Sequence, residues 1–393
     1  MHDRKPLSVT DIGAIPEMVC LSHLRWNFVF QRPQHLMVRF ARNRRVFFVE
    51  EPVLEDREAP SVSVDMHDGV WVVVPHVPRH FDPGQIADAQ RQALDDLVER
   101  ASLTRYVLWY YTPQALRFSD HLRPAAIVYD CMDELSAFKG AASDLPELER
   151  RLLARADLVL TGGQTLYEAK KHLHRNIHAM PSSVDVPHFA SARHGAVEAP
   201  DQRGLPRPRL GFFGVLDERL DIPLLAGLAD ARPDWQLVML GPVVKIDPAD
   251  LPRRDNIHYL GPKPYAELPR YIAGWDVALL LFARNEATRF ISPTKTPEYL
   301  AAGRPVVSTS IRDVVTPYGE QGLVAIADTV PEMVEACDAA LRDTRAGTQA
   351  KADAFLRGTS WDATWRRIDA LLAEATTVVN PPQPRAATVA RSA

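Results

Sequence analysis

Residues 210–241 read LGFFGVLDERLDIPLLAGLADARPDWQLVMLG and decide the fold class. Two short apolar runs, at 210–214 and 235–241, enclose a segment with helical character. Strands that are apolar throughout are typical of a parallel sheet whose two faces are covered by crossover helices. The stretch therefore predicts one strand–helix–strand unit of a doubly wound α/β sheet.

The same alternation continues in both directions along the chain. Downstream, further strands are predicted at 257–261, 277–282, 305–309 and 323–327. Upstream, seven strands separated mostly by helices are predicted at 18–22, 45–50, 70–74, 106–111, 126–131, 158–162 and 177–181. The pattern thus occurs twice, once in each half of the chain.

The chain of 393 residues is too long for one ordinary core. We predict two Rossmann-like α/β domains facing a cleft, at 1–187 and 210–359, joined by a linker at 188–209 that is rich in Pro, Ala, Gly and charge. A helix at 360–375 and a disordered tail at 376–393 are expected to follow. Because open parallel sheets bind ligands at the carboxyl ends of their strands, substrates are expected in the cleft.

Composition excludes several other classes of protein. A net charge of -4 argues against a nucleic-acid binder. The three cysteines are too few and too dispersed for a disulfide framework or a zinc site, and no apolar run reaches membrane-spanning length. A cytoplasmic protein is expected. The basic run RFARNRRVFF at 39–48 leaves open a peripheral contact with the inner face of an anionic membrane, and a solvated helix end explains it equally well.

Residues 292–309, SPTKTPEYLAAGRPVVST, predict a phosphate site. Thr296 would cap a short helix, and Gly303 suits the left-handed residue that ends it. Free amides at the helix start, with Lys295 beside them, would attract an anion. Glu298 could be a partner of the helix dipole or a ligand of vicinal ribose hydroxyls, and helix physics alone does not separate the two.

This stretch resembles the nucleotide-sugar signature of GT-B fold glycosyltransferases, especially the large retaining group described as glycosyltransferase family 4-like or glycosyl transferases group 1. LGFFGVLDERLD, WQLVMLGP and NIHYLGPKPYAELPRYIAGWDVALLLF occur in the order of that group, and the resemblance extends over about 18–375. It implies a C-terminal helix that crosses back to the first domain. It also implies a hexosyl- or glycosyltransferase of polysaccharide biosynthesis, whose substrates are a nucleoside diphosphate sugar such as a UDP-sugar and a glycan, lipid-linked or small-molecule acceptor, with no cofactor.

By position, the resemblance implies a donor site in the second domain. Glu298 would bind the ribose, Thr294 and Lys295 would bind the diphosphate, and Arg219 would neutralise the leaving nucleotide. The remaining donor-site candidates are the loop glycine Gly214, the base-flanking residues Gly261 and Lys263, and Ser292 at the helix start. Taken singly, residues such as Arg219 and Lys263 are more often solvated surface charges than ligands.

One position departs from the pattern of the group. Many members carry a second Glu eight positions before the ribose-binding one, near the transferred sugar, and this chain has Phe290 there. Glu286 and its neighbour Asn285 are the candidates for the role of that second Glu near the transferred sugar, and they would reach it from a longer loop. Two alternatives remain open. A nucleotide-sugar epimerase would share the GT-B architecture, and the departure at Phe290 leaves a non-catalytic nucleotide-sugar-binding subunit possible.

The first domain offers candidates for acceptor binding and catalysis. Arg25, Trp26, Arg32 and His35 surround a predicted helix start, and an aromatic ring with planar donors suits sugars, although Trp26 could equally be core.

Asp130 and Asp133 follow a buried strand and are the catalytic candidates there, as general base or acceptor binder, while Asp130 could also cap a turn. The sequence contains no paired-acid metal motif. We therefore expect metal-independent transfer, with Arg219 and Lys295 stabilising the leaving diphosphate.

Overall fold

Two sheets organise the chain. The computed structural model describes residues 16–193, 196–343 and 346–378. The first sheet has nine strands within these ranges: β1 (Glu17–Leu21), β2 (Val46–Val49), β3 (Val53–Glu55), β4 (Ser61–His67), β5 (Val70–Pro78), β6 (Tyr106–Tyr110), β7 (Ala126–Cys131), β8 (Leu158–Thr161) and β9 (Ile177–Ala179). Their order is β3-β5-β2-β1-β6-β7-β8-β9, and β4 pairs with β5. All pairs are parallel except β4 with β5.

The first sheet is covered on both faces, as its apolar strands predict. In β1, Val19 and Leu21 belong to one core, while Met18 and Cys20 belong to the other. The helices of this half are α1 (Arg32–Phe40), α2 (Pro83–Arg100), α3 (Leu116–Ser119), α4 (Leu145–Arg155) and α5 (Gln164–Lys170). Helices α2 to α5 contribute to the first of these cores and α1 to the second. The predicted doubly wound α/β architecture is confirmed.

The second sheet is entirely parallel. Its six strands in the described part of the chain are β10 (Arg209–Phe213), β11 (Gln236–Leu240), β12 (Ile257–Gly261), β13 (Val277–Leu280), β14 (Val306–Ser308) and β15 (Val324–Ile326), in the order β12-β11-β10-β13-β14-β15. The helices around it are α6 (Val186–Ala190), α7 (Pro200–Arg203), α8 (Ile222–Ala231), α9 (Leu268–Ile272), α10 (Lys295–Ala301), α11 (Arg312–Val314), α12 (Val330–Arg342) and α13 (Ala346–Leu356). The segment 210–241 forms β10, α8 and β11, as predicted. Asp221 begins α8 by accepting a hydrogen bond from the Leu224 amide at 2.9 Å.

Two strands were missed because they lack the pattern of a buried strand. β3 has three residues, and none of them is buried. β4 is exposed or half-buried along its whole length, so no face of it carries a continuous apolar signal. The expected linker at 188–209 contains the end of α6 and all of α7. Phe189 of α6 lies in the core of the second sheet.

The C-terminal helix α14 (Trp361–Val378) packs on the first domain. Its Trp361, Ile368 and Leu372 lie in the same core as Met37 of α1. Three arginines of the basic run at 39–48 form ion pairs with it: Arg39 and Arg42 with Asp362, and Arg44 with Asp369. The tail was predicted to begin at residue 376, but residues 376–378 belong to α14, and the rest of the predicted tail lies outside the described residues. None of the helices in the described ranges is long and apolar enough to cross a membrane.

Asp313 of the second domain joins the two domains. Its carboxylate accepts hydrogen bonds from the backbone amides of Gln164 and Thr165, each at 2.9 Å, and from the Thr165 hydroxyl. These amides are at the start of α5 in the first domain, where helix geometry leaves them without intrahelical partners. A carboxylate of one domain thus caps a helix of the other.

We expect Asp313→Ala to lower the free energy of unfolding by about 1–2 kcal/mol, as for loss of a helix cap. Urea unfolding followed by circular dichroism measures the change. Asp247→Ala is the matched control, because Asp247 accepts from the exposed Ala249 amide within the second domain. X-ray scattering should show a wider cleft for Asp313→Ala alone. Equal scattering by the two variants would contradict a role for Asp313 in holding the two domains together.

Candidate functional site

A cleft of about 410 Å³ lies between the two sheets. The second domain contributes the segments that follow β10, β11 and β12, together with the start of α10. The first domain contributes the loop 26–31 and the turn between β4 and β5. Seven of the sequence-predicted site residues line it: Trp26, Gly214, Arg219, Lys263, Thr294, Lys295 and Glu298. The structure thus gathers these seven residues from four separate segments into one site.

The helix that carries the ribose candidate begins two residues earlier than predicted. α10 starts at Lys295 with Thr294 at its N-cap position. The prediction that Thr296 caps it was wrong, because Thr296 lies buried inside the first turn and its hydroxyl has no hydrogen-bond partner within the described ranges. Gly303 ends the segment at φ +72°, as predicted.

Glu298 is buried at the floor of the cleft, and Lys295, one turn before it, is half-buried. The Lys295 ammonium lies 5.7 Å from the ring centroid of Phe212 and 5.8 Å from that of Phe282. Burial, with the charge of Arg219, lowers the pKa of Lys295. Burial also raises the pKa of Glu298, against the opposing charge of Lys295. The Oε2 atom of Glu298 has no hydrogen-bond partner among the described residues. A buried acceptor of this kind is costly unless a ligand satisfies it.

Gly214 gives Lys295 the space that it occupies. Its φ of +143° is a conformation that side chains rarely adopt. A Cβ atom at this position would lie 2.3 Å from Lys295 Cε and 2.7 Å from its Nζ. Glycine at the end of β10 therefore lets the lysine approach the loop backbone.

Arg219 faces the first domain. Its guanidinium donates to both oxygens of Asp217, with the shortest contact at 2.7 Å, and lies 5.6 Å from the ring centroid of Phe138. Asp133 follows β7 in the first domain and is not among the residues that line the cleft. Burial raises the pKa of Asp133, and the charge of Arg219 opposes that rise. Arg219 thus contacts a ring of the first domain, and its charge acts on Asp133 of the same domain.

Comparison with known proteins agrees with this geometry. Residues 207–343 match the family model described as "Glycosyl transferases group 1". "Putative teichuronic acid biosynthesis glycosyltransferase TuaH" of Bacillus subtilis (strain 168) is 26% identical over 238 residues. The match covers 56% of this chain, and the chain spans 59% of the length of that relative.

Several solved structures have the same arrangement of two domains. Sucrose-phosphate synthase (tll1590) from Thermosynechococcus elongatus has a TM-score of 0.67 at 12% identity, over 93% of this chain and 100% of that one. A trehalose-6-phosphate protein from E. coli bound with UDP-2-fluoro glucose has a TM-score of 0.68 at 12% identity, over 91% and 99% of the two chains. HepE from Anabaena in complex with UDP and glucose has a TM-score of 0.66 at 15% identity, over 91% and 100%.

The chain has the GT-B fold. At these identities the likeness to solved structures establishes the architecture, and the match at 207–343 confirms the resemblance to glycosyl transferases group 1 in the second domain. The predicted return of the C-terminal helix to the first domain belongs to the same architecture.

Asp130 and Arg32 do not lie at the cleft of this GT-B protein. They form a buried ion pair in which the Arg32 guanidinium donates to both Asp130 oxygens at 2.9 to 3.1 Å, and Arg32 Nη1 donates to the Met180 carbonyl at 2.7 Å. Both side chains are almost fully buried. The positions correct our expectation that Asp130 is poised for catalysis and Arg32 for acceptor binding, because each side chain is engaged by the other.

The other three acceptor candidates do not all lie at the cleft. Trp26 lines the GT-B cleft, but it is 6% exposed and packs edge-on against Phe48 at 5.0 Å. Arg25 donates to Glu50 at 3.0 Å, in the first domain. His35 stacks on Trp361 of the C-terminal helix at 4.5 Å. Among these candidates only Trp26 reaches the cleft.

Four further candidates occupy the edges of the second domain. Glu286 is exposed in a separate groove and lies 3.5 Å from Arg289. Ser292 backs onto Gly163 of the first domain. Gly261 ends β12 at φ +72°, and Lys263 donates to Asp201 at 2.7 Å while lining the cleft. Phe290, the departure from the group pattern, packs against the core of the first domain.

Several cleft residues escaped the sequence analysis. Tyr265 lines the cleft with a buried hydroxyl that has no partner within the described chain, and Phe30 of the first domain contacts its ring at 4.8 Å. His67 and Asp68 reach the cleft from the β4–β5 turn. The sequence carries no signal for these three contacts, since each depends on a partner segment distant along the chain.

The buried imidazole of His35 makes stability depend on pH. Burial, with the charges of Arg39 and His188, lowers the pKa of His35 from 6.5 to about 3. The unfolded chain binds this proton more readily, so the stability contributed by neutral His35 is present above pH 6.5 and is lost as the pH falls toward 3.

We expect acidification from about pH 7 to about pH 4 to cost the wild type a few kcal/mol through this group. His35→Phe retains an aromatic ring and should lose less stability over the same interval. Urea unfolding at the two pH values measures the difference, with His80→Phe, at an exposed site, as the control. An equal loss in wild type and His35→Phe would contradict the assignment.

Proposed function

We propose that the protein is a glycosyltransferase that moves a sugar from a nucleoside diphosphate sugar to a glycan acceptor. The observation that carries this proposal is the buried, unpartnered Oε2 of Glu298 beside the half-buried ammonium of Lys295. A ribose hydroxyl can donate to that oxygen, and a diphosphate can neutralise the lysine. The names of two similar structures include UDP, which makes UDP the first nucleotide to test.

The residues at the cleft have separate roles in the proposed transfer. The bond between the anomeric carbon and the diphosphate oxygen breaks, and its electron pair stays on the diphosphate. Lys295 and Arg219 stabilise that charge, so the reaction needs no metal ion in this scheme. The acceptor hydroxyl, held beside Asp133, forms the new bond, and its proton passes to the departing diphosphate oxygen. We propose retention of configuration, since the signature at 292–309 resembles that of the retaining group.

The acceptor and the location are also proposals. The name of the Bacillus relative connects that protein with teichuronic acid, which favours a glycan acceptor, free or lipid-linked, for this chain. Cys20, Cys131 and Cys337 are free and buried, as suits the reducing cytoplasm. A membrane contact through residues 39–48 would compete with the ion pairs that Arg39, Arg42 and Arg44 already form.

A thermal-shift screen of UDP, GDP, ADP, CDP and TDP tests the proposal. At least one should raise the melting temperature, because a ligand that binds only the folded state stabilises it by about 2.7 kcal/mol at one hundred times its Kd. No stabilisation by any of them would overturn the proposal. Incubation of the corresponding donor sugar with and without a chelator then tests metal independence, and release of an epimer instead of hydrolysis would indicate the epimerase alternative.

A further inference from the structure

Two buried polar atoms at the cleft lack a hydrogen-bond partner. Among the described residues that line the cleft, only Glu298, at Oε2, and Tyr265, at its hydroxyl, carry a buried side-chain polar atom of this kind. The proposed transfer uses Glu298 and gives no role to Tyr265. Because buried polar groups in folded proteins are normally hydrogen-bonded, an unpartnered one in a concave site is a candidate for contact with a ligand.

The ring of Tyr265 is held by side chains from both domains. Its centroid lies 4.8 Å from that of Phe30 and 5.4 Å from that of His35, both in the first domain. His188 of α6 stacks on it at 4.4 Å, and the same imidazole donates from Nε2 to the Tyr265 carbonyl at 3.0 Å. These contacts fix the ring and its backbone, so the hydroxyl needs little ordering when a ligand binds.

The surroundings of the Tyr265 hydroxyl suit a neutral polar group. Burial, with the charges of Glu298 and Asp185, raises the pKa of Tyr265, so the hydroxyl stays protonated and can both donate and accept. Pro262 and Pro264 line the cleft in the same segment and have no backbone N–H to offer. The tyrosine hydroxyl is therefore a neutral donor on this wall, distinct from the cations Lys295 and Arg219 that suit the diphosphate.

We propose that the Tyr265 hydroxyl forms a hydrogen bond with the nucleoside part of the donor and is, with Glu298, a specificity-determining residue of the nucleotide site. The inference rests on the proposed function, because it takes the ligand of the cleft to be a nucleoside diphosphate sugar. The nucleoside offers two kinds of neutral polar group, the edge of the base and the ribose hydroxyls. A phenol can bond to either, and modified nucleotides distinguish them.

The variant Tyr265→Phe removes the hydroxyl and retains the ring. Isothermal titration should show UDP binding about ten-fold weaker in this variant, as expected for the loss of one hydrogen bond, and pyrophosphate binding unchanged. The melting temperature of the unliganded variant should equal that of the wild type or exceed it, because the hydroxyl has no protein partner in the described chain. A tyrosine with only a structural role would instead lose stability and leave UDP affinity unchanged.

The matched control is Tyr259→Phe. Tyr259 lies on β12, is not among the residues that line the cleft, and donates from its hydroxyl to the Pro252 carbonyl at 3.0 Å. This variant should have a lower melting temperature than the wild type and the same affinity for UDP. The two readouts should thus change in opposite ways in the two tyrosine variants.

Titration with 2′-deoxy-UDP and 3′-deoxy-UDP locates the bond. If the ten-fold difference between wild type and Tyr265→Phe disappears with either nucleotide, the partner is the ribose, and if it persists with both, the partner is the base. Equal UDP affinity in wild type and Tyr265→Phe, or an equal loss for UDP and pyrophosphate, would overturn the inference alone. Failure of the wild type to bind UDP would overturn the UDP form of the proposed function and this inference with it.

Discussion

Glu298→Ala should weaken binding of the nucleoside diphosphate by about 100-fold. The buried carboxylate is expected to accept hydrogen bonds from vicinal ribose hydroxyls, and bonds to a charged group contribute about 1.5–3 kcal/mol each. The variant should still fold, because Oε2 of Glu298 has no partner within the described ranges and its loss leaves no protein donor unsatisfied there. Isothermal titration of wild type and variant with the same nucleotide measures the effect.

The control for this prediction is Glu335→Ala, at an exposed position on α12, which should bind the nucleotide as the wild type does. A second comparison uses the 2′-deoxynucleotide. If Glu298 contacts the ribose, removal of one hydroxyl should weaken binding to the wild type and have little effect on the alanine variant. Wild-type affinity in Glu298→Ala would show that the acid serves the helix dipole and not the ligand.

Asp130→Asn should lower the free energy of unfolding by about 3–5 kcal/mol, the usual cost of removing one partner of a buried ion pair. The amide nearly matches the carboxylate in shape but leaves the charge of Arg32 uncompensated in a site almost without solvent. Urea unfolding measures the loss. The effect should be one of the largest for a single substitution in this chain, since both partners are buried.

The double variant Arg32→Met with Asp130→Leu is the informative control, because it removes both charges and fills the space with apolar side chains. It should recover most of the stability lost in Asp130→Asn. At a temperature where Asp130→Asn remains folded, Asp130→Asn should bind the nucleotide as the wild type does. If Asp130→Asn had normal stability but lost turnover, the result would instead support the catalytic role that the sequence suggested for Asp130.

The secondary structure was predictable wherever burial is local in the sequence. The strand–helix–strand unit at 210–241 and the strands of the first half are apolar because both faces of each sheet are covered, and that pattern is visible residue by residue. β4 is exposed along its length, so nothing in the sequence distinguished it from a loop. The start of α10 was misplaced because Thr296 looks like a cap residue, while its position inside the helix depends on packing.

The sequence by itself determined the two sheets, the short helix with Lys295 and Glu298, and the glycine that ends it, since these depend on neighbours a few positions away. Only the tertiary structure separated Asp130 from Asp133. Asp130 is paired with Arg32, 98 positions away, whereas Asp133 is influenced by the charge of Arg219 from the other domain. A charge takes its role from the groups that surround it after folding, and those groups come from segments that no local pattern connects.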